Sequence, residues 1–243
     1  MNGKEAYELM LARSEPIDRQ LVSLFEGARS HLPQGSLKIT LIAQGGYGRR
    51  ELSRHSDIDL LILYDGKELP SLKSFTEKLL HPLWDLGLEV GFATRTVSDC
   101  RQLMQGDMTI LSSLIDARYL AGDRGLFQDF EKMKGEFFSR QKERNRFFRN
   151  KMREDEERWN KYGGSVYLLE PHIKEGAGGL RDYHTLYWFA RVIYGIKTPR
   201  ELGKNDLLSE NDCRDFWRAI NFLWAVREEL HRLGGRRQDQ LLL

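Results

Sequence analysis

Two aspartates separated by one residue, Asp57 and Asp59 in the stretch SDIDLLIL, follow closely on a glycine-rich turn, Gly45-Gly46-Tyr47-Gly48. In an extended strand alternate side chains share a face, so the two carboxylates point the same way with their Cα atoms about 6–7 Å apart. They repel one another, and the apolar run Leu60-Leu61-Ile62-Leu63 directs the strand into a core where an unpaired charge is costly. A divalent cation is one of the few partners able to hold both, which makes the pair a candidate site for Mg2+ or Mn2+. The residues alone leave a second arrangement open: Asp57 capping the preceding turn, and Asp59 paired with Arg49 or Arg50.

Glycines in a turn that follows a strand let backbone N–H groups converge on an anion with no Cβ in the way, and a short helix start adds partial positive charge. Gly45 and Gly46 are therefore candidate phosphate-binding residues. The turn is not a P-loop, because no Gly-Lys-Ser/Thr follows it, and not a dinucleotide fingerprint, because Glu51 stands where the last glycine belongs. A phosphate cradle and a pair of metal-holding carboxylates a few residues apart form a combined signal.

The elements that must position these groups are legible from periodicity. SLKITLIAQ (36–44), DIDLLILY (57–64) and LEVGFATRT (88–96) read as strands, the second buried on both faces. Between the last two, Leu72, Phe75, Leu79, Leu80 and Leu83 keep a helical period that ends at Gly87. Residues 3–31 read as helix, divided in two at Pro16. From about Ser98 strand signals vanish, and helices are expected over 98–104, 107–117, 124–160, 181–195 and 211–233. The expected architecture is α/β (α+β): a helical lead-in over 1–35, a core with a small mixed sheet over 36–122, and a helical domain over 123–243.

Composition narrows the classes. With 38 Lys+Arg against 36 Asp+Glu, the formal net charge of +2 provides no overall field for nucleic acid or an anionic membrane. Cys100 and Cys213 stand far apart with no CxxC or Cys/His cluster, so neither disulfide framework nor zinc site is signalled, and a reducing cytoplasm is expected. No apolar run reaches membrane-spanning length. The charged run 140–158 alternates in sign at helical spacing and reads as a solvated, salt-bridged face rather than a nucleic-acid contact.

The whole stretch GGYGRRELSRHSDIDLLIL resembles the nucleotidyltransferase signature of the polymerase-β-like superfamily. Its extended form, with LWDLGLEVGFATRT (83–96) and LEPHIKEGAGGLRDYHTLYW (169–188), is similar to one family within it, the bifunctional uridylyltransferase/uridylyl-removing enzymes that modify the nitrogen-signalling protein PII. The resemblance implies a polymerase-β-like core that transfers UMP from UTP to a tyrosine hydroxyl of PII and releases pyrophosphate. It implies a third acid beside Asp57 and Asp59; Glu89, between Leu88 and Val90, is the choice, with Asp85 and Asp116 as weaker candidates. Ser56 would assist near the phosphates, and Gly45, Gly46 and Arg49 would hold the triphosphate, although a salt bridge from Arg49 to Glu51 or Asp57 stays open. Lys174 and Arg181, flanking the glycines of KEGAGGLRD, are expected on a loop that folds over the nucleotide.

The sequence departs from the family pattern in places. Arg50 stands where glycine is common, Arg54 where proline is common, and GFATRT where GHSVRT is common. None of the six histidines is followed by aspartate, so the phosphohydrolase domain of the removing activity and the glutamine-sensing domains are expected to be missing from a truncated chain. Adenylyl transfer, and a nucleotide- or PII-binding module without turnover, remain the alternatives on sequence.

Overall fold

The computed structural model describes residues 6–32, 37–66, 69–198, 201–202 and 208–242; the outer parts of the expected lead-in, Ser36 and Leu243 lie outside them. The chain divides into two compact units, one built from Met10–Leu52 with Ser56–Ser139, the other from Arg140 onward with Ser53–His55 and the first residues through Leu9. No helix among the described residues is long and apolar enough to cross a membrane.

The first unit begins at Met10 within α1 (Ala6–Arg29), a helix that runs unbroken through Pro16. The expected break does not occur: proline removes a single N–H donor, and the apolar face carrying Leu21 and Phe25 continues into the core on the far side. A four-stranded mixed sheet follows, in the order β3-β2-β1-β4. β1 (Ile39–Ala43) pairs antiparallel with β2 (Ile58–Tyr64), and β2 pairs parallel with β3 (Val90–Arg95) across the crossover helix α3 (Leu69–Asp85). This is the mixed α/β core that the patterning predicts.

One strand went unforeseen. Residues Arg118–Gly122 form β4, antiparallel to β1 with a register shift between Leu41 and Ile42. Five residues with polar neighbours leave no clear alternation, so only pairing with an already formed edge makes this segment a strand. It is reached through α4 (Val97–Gly106), whose N-cap Thr96 and Asp99 form a reciprocal capping box, and α5 (Met108–Ile115), capped by Asp107.

Alternation in β1 and β2 loads both faces. Leu41, Ala43, Ile58, Leu60 and Ile62 join Leu21 and Phe25 of α1 and Leu72, Phe75, Leu79 and Leu83 of α3 in one buried cluster. On the other side α6 (Arg124–Ser139) packs against β1 and β2. The charged run read as one long helix from 124 is broken at Arg140, where extended backbone (ψ 115°) separates α6 from α7 (Gln141–Tyr162).

In the second unit α7 packs on α8 (Leu180–Tyr194), and α8 on α9 (Glu210–Gly234). Tyr7, Tyr183, Trp217 and Trp224 supply an aromatic core, with the Tyr7 and Trp224 rings stacked at 5.4 Å. The salt-bridged reading of α7 holds for pairs such as Arg146–Glu143 and Arg153–Glu157, but Lys151, Asp155 and Arg158 are buried. Lys151 Nζ lies 4.5 Å from the Trp188 ring centroid, and Arg158 bridges Asp155 and Asp182. Amphipathic patterning misses such a face because its buried members are themselves charged.

The segment 171–173 is tied to the chain's last described residues. Ile173 N–H donates to the Asp239 carbonyl at 2.8 Å, and Arg227 Nε donates to Asp239 Oδ1 at 2.6 Å. Burial pulls the Asp239 carboxyl upward, yet its contacts with His231 and Arg227, and the charges of Arg227 and Lys174, outweigh that and hold it well below the usual carboxylate range. A depressed carboxyl contributes stability above its unfolded pKa, about 3.9, and loses it as pH falls below that value. Asp239→Asn should therefore be less stable at pH 7 and show a shallower loss of stability below about pH 4, read by denaturant titration across pH. Gly122 tests the sheet: at φ 103°, an added Cβ would lie 2.2 Å from the Ile39 carbonyl oxygen and 2.7 Å from Phe25 Cζ. Gly122→Ala should cost about 2–4 kcal/mol, seen as a lower urea midpoint at an unchanged slope.

Candidate functional site

The site grows from the end of β1. After Ala43 the chain leaves the sheet at Gln44 and closes one turn of helix, α2 (Gly45–Gly48), with Gly48 N–H donating to the Gln44 carbonyl at 2.7 Å. Gly45 has a φ of +53°, a left-handed geometry that glycine adopts without steric cost. The leading N–H groups of such a turn have no acceptor within the helix, so they are available to an anion.

Asp57 stands just ahead of β2, and Asp59 is its second residue; both are half-buried. The Asp59 carboxylate fits between two glycines. A Cβ on Gly45 would lie 2.9 Å from Asp59 Oδ2, and a Cβ on Gly91, its register partner on β3, 2.9 Å from Oδ1. Any other residue at either position would push the carboxylate aside, so the turn and β3 together give it its place.

Glu89 was expected inside a strand and is found immediately before one. Its carbonyl accepts from the Ile58 N–H at 2.9 Å, which sets it beside Asp57 at the mouth of the parallel pair, and the residue is exposed. Among the described residues no three His, Cys, Asp or Glu side chains stand together as a ready-made metal cluster. The donor set nonetheless suits Mg2+, which commonly takes one or two carboxylates and completes its octahedron with substrate phosphates and water. The space that Gly45 and Gly91 keep clear around Asp59 is consistent with that chemistry.

Arg49 is drawn into a buried ion-pair network. Its Nε donates to Glu51 Oε2 at 2.8 Å, and its guanidinium also meets Asp116, so the salt bridge left open on sequence is present and involves Glu51. Asp116, a weaker candidate for the third acid, caps the end of α5 and is buried against this arginine; Asp85 ends α3 exposed. Sequence reasoning missed a second brace. Tyr47 is fully buried and donates to Asp18 at 2.6 Å; Arg118 pairs with Asp18 at 2.8 Å and donates to the Tyr47 and Gly48 carbonyls. Burial, followed by the Asp18 hydrogen bond, pushes the Tyr47 phenol far above its usual range, so it stays a donor. The signal lay in the aromatic residue between two glycines, an unusual occupant of an exposed turn.

Arg50 adopts a φ of +62°, in the region that favours glycine, and lies 3.6 Å from Asp18. Ser56 is half-buried between the turn and β2.

Lys174 and Arg181 belong to the helical unit; Lys174 lies in a loop closed by its own backbone, whereas Arg181, expected on that loop, is the second residue of α8. Arg181 N–H donates to the Lys174 carbonyl at 2.8 Å and Leu180 N–H to the Ile173 carbonyl at 3.0 Å. A Cβ on Gly179 would lie 2.7 Å from the Ile173 oxygen, which is why glycine is needed there. The Arg181 guanidinium grips Glu175 with two hydrogen bonds, at 3.0 and 3.2 Å. Burial, with the charges of Arg181, Arg227 and Arg237, pushes the Lys174 ammonium down to about 8 against the opposing pull of Glu175.

Comparison with known proteins converges on one group. Residues 146–243 match the family model described as GlnD PII-uridylyltransferase. Proteins named bifunctional uridylyltransferase/uridylyl-removing enzyme match most of the chain. The one from Rhodospirillum rubrum is 41% identical over 235 residues, which is 94% of this chain and 25% of that protein. One from a Bradyrhizobium species is 40% identical over 214 residues, 88% of this chain and 23% of that protein. The Caulobacter vibrioides protein is 37% identical over 246 residues, 99% of this chain and 26% of its own length. The chain thus spans about a quarter of the length of the curated relatives it matches. Over most of its own length the chain is similar to proteins named bifunctional uridylyltransferase/uridylyl-removing enzyme.

Proposed function

We propose that this chain is a metal-dependent nucleotidyltransferase that moves UMP from UTP to a tyrosine hydroxyl of PII. The observation that carries the proposal is the seating of the Asp59 carboxylate between Gly45 and Gly91, next to Asp57 and at the foot of a turn with leading N–H groups. Kinship to proteins named for uridylyl transfer supports the choice of reaction.

In this reading the triphosphate lies against Gly45 and Gly46, with Ser56 alongside, and Asp57 and Asp59 hold Mg2+ or Mn2+ with Glu89 completing the acidic set. The tyrosine oxygen attacks the α-phosphorus as its proton passes to solvent water, the bond from that phosphorus to the oxygen bridging the α- and β-phosphates breaks, and pyrophosphate leaves. A divalent cation held there supplies Lewis acidity, favouring the phenolate of an acceptor whose ordinary pKa is near 10 and offsetting charge on the leaving pyrophosphate. The protein's part is positioning. Arg49 with Glu51 and Asp116, and Arg118 with Asp18 and Tyr47, keep the turn rigid while the reacting groups align.

The test is transfer of radiolabelled UMP from UTP to PII. Asp57→Asn with Asp59→Asn should lower it at least about a thousandfold with little change in melting temperature; equal labelling by variant and wild type sinks the assignment. Offering the four nucleotides in turn reads the base preference, and faster transfer from ATP would replace uridylyl by adenylyl transfer. Gly45→Ala should also cut the rate by about tenfold or more, because its Cβ displaces the Asp59 carboxylate, while Gly27→Ala, with open space around it, should not.

A further inference from the structure

Gln44, the residue before the glycine turn, has a place fixed by the sheet. The β1–β2 register pairs Thr40 with Leu63 and Ile42 with Leu61. The Gln44 N–H donates to the Asp59 carbonyl at 2.9 Å, so the ladder continues one step further and sets Gln44 opposite Asp59. Facing residues of an antiparallel pair present their side chains on the same side of the sheet, and alternate residues along a strand do likewise. Gln44 therefore shares the face of Asp59.

Its environment is unusual for an amide. Gln44 is only 6% exposed, and its Nε2 has no hydrogen-bond partner among the described residues. Buried amide donors are almost always satisfied, because an unmade bond costs the full desolvation of the group. An apolar residue of similar size would fill the same space without that cost. The donor thus stands ready for something that arrives at the site.

We propose that Gln44 is a nucleotide-binding residue whose side-chain amide donates to a phosphate oxygen of the nucleoside triphosphate. The inference rests on the nucleotidyl-transfer reading and deepens it. The complementarity is direct: Nε2 can only donate, and a phosphate oxygen can only accept. A hydrogen bond to an ionised acceptor is stronger than a neutral one, and stronger again in a site shielded from water. The carboxylates on the same face are those expected to carry the cation that bridges phosphates, so the triphosphate is the part of the ligand nearest this amide.

Two variants of the present chain test this, with UTP and Mg2+ as the probe. Gln44→Met keeps the length of the side chain and removes the donor; Gln44→Glu keeps the shape and turns an acceptor on the phosphates. Gln44→Met should melt at or above the wild-type temperature without nucleotide, raise the KM for UTP about tenfold and leave the KM for PII unchanged. Gln44→Glu should lose the thermal stabilisation that UTP confers on the wild type. A Gln44→Met chain with wild-type KM for UTP overturns the proposal whether its melting temperature falls or not, since a trapped water or plain packing would then explain the amide. That result leaves the nucleotidyl-transfer reading intact, whereas a wild-type chain that neither transfers UMP nor gains stability from UTP overturns both.

Discussion

A carboxylate at the mouth of a buried strand needs room, and Asp59 has it because two α-carbons beside it carry no side chain. Much of the first unit follows from that constraint. Gly45 must stand over one carboxylate oxygen, so the chain has to reverse within a residue of leaving β1, and the left-handed φ of Gly45 makes the reversal possible. Gly91 must stand over the other oxygen, so β3 has to run parallel to β2 in one register, with α3 as the crossover that parallel pairing requires. A slip of one residue would set Phe92 or Val90 against the acid and reverse the faces of the strand.

A turn of four residues does not hold such a position unaided. Its rigidity comes from charges in compensated sets: Arg49 buried with Glu51 and Asp116, and half-buried Arg118 with Asp18 and the Tyr47 hydroxyl. Each arginine spreads its planar donors over more than one acceptor, the condition under which a buried guanidinium is tolerated. The helical unit uses the same device, with Arg158 between Asp155 and Asp182 and Arg227 on Asp239. In both units ion pairs tie together residues of separate elements. Arg50 holds a left-handed φ in a backbone region that glycine enters more readily than arginine.

Glycines at 45 and 46, the aspartate pair and the apolar run behind them were legible because each is a local signal: a turn chemistry, a two-residue period, a buried strand. The helices were legible for the same reason, to within a few residues. What escaped was set by partners distant in the chain. β4 is a strand only because β1 offers an edge, α1 passes Pro16 because its apolar face continues beyond it, and α6 and α7 separate at a residue with no breaker character. The two tasks suggested for Arg49 differ by which charge lies nearby, and its burial against Asp116, 67 positions away, cannot be read from spacing.

The sequence by itself determined the mixed α/β core and set the glycine turn and the Asp57–Asp59 pair close together along the chain, because backbone conformation and side-chain alternation are dictated by neighbours along the chain. Tertiary structure alone decided which groups stand together: Gly91 against Asp59, Arg49 against Asp116, and Gln44 on the face of Asp59 with its amide unpartnered. The physical reason is that hydrogen bonds, ion pairs and steric clearance act over a few ångströms of space, and only the folded sheet brings residues from separate strands and helices within that range.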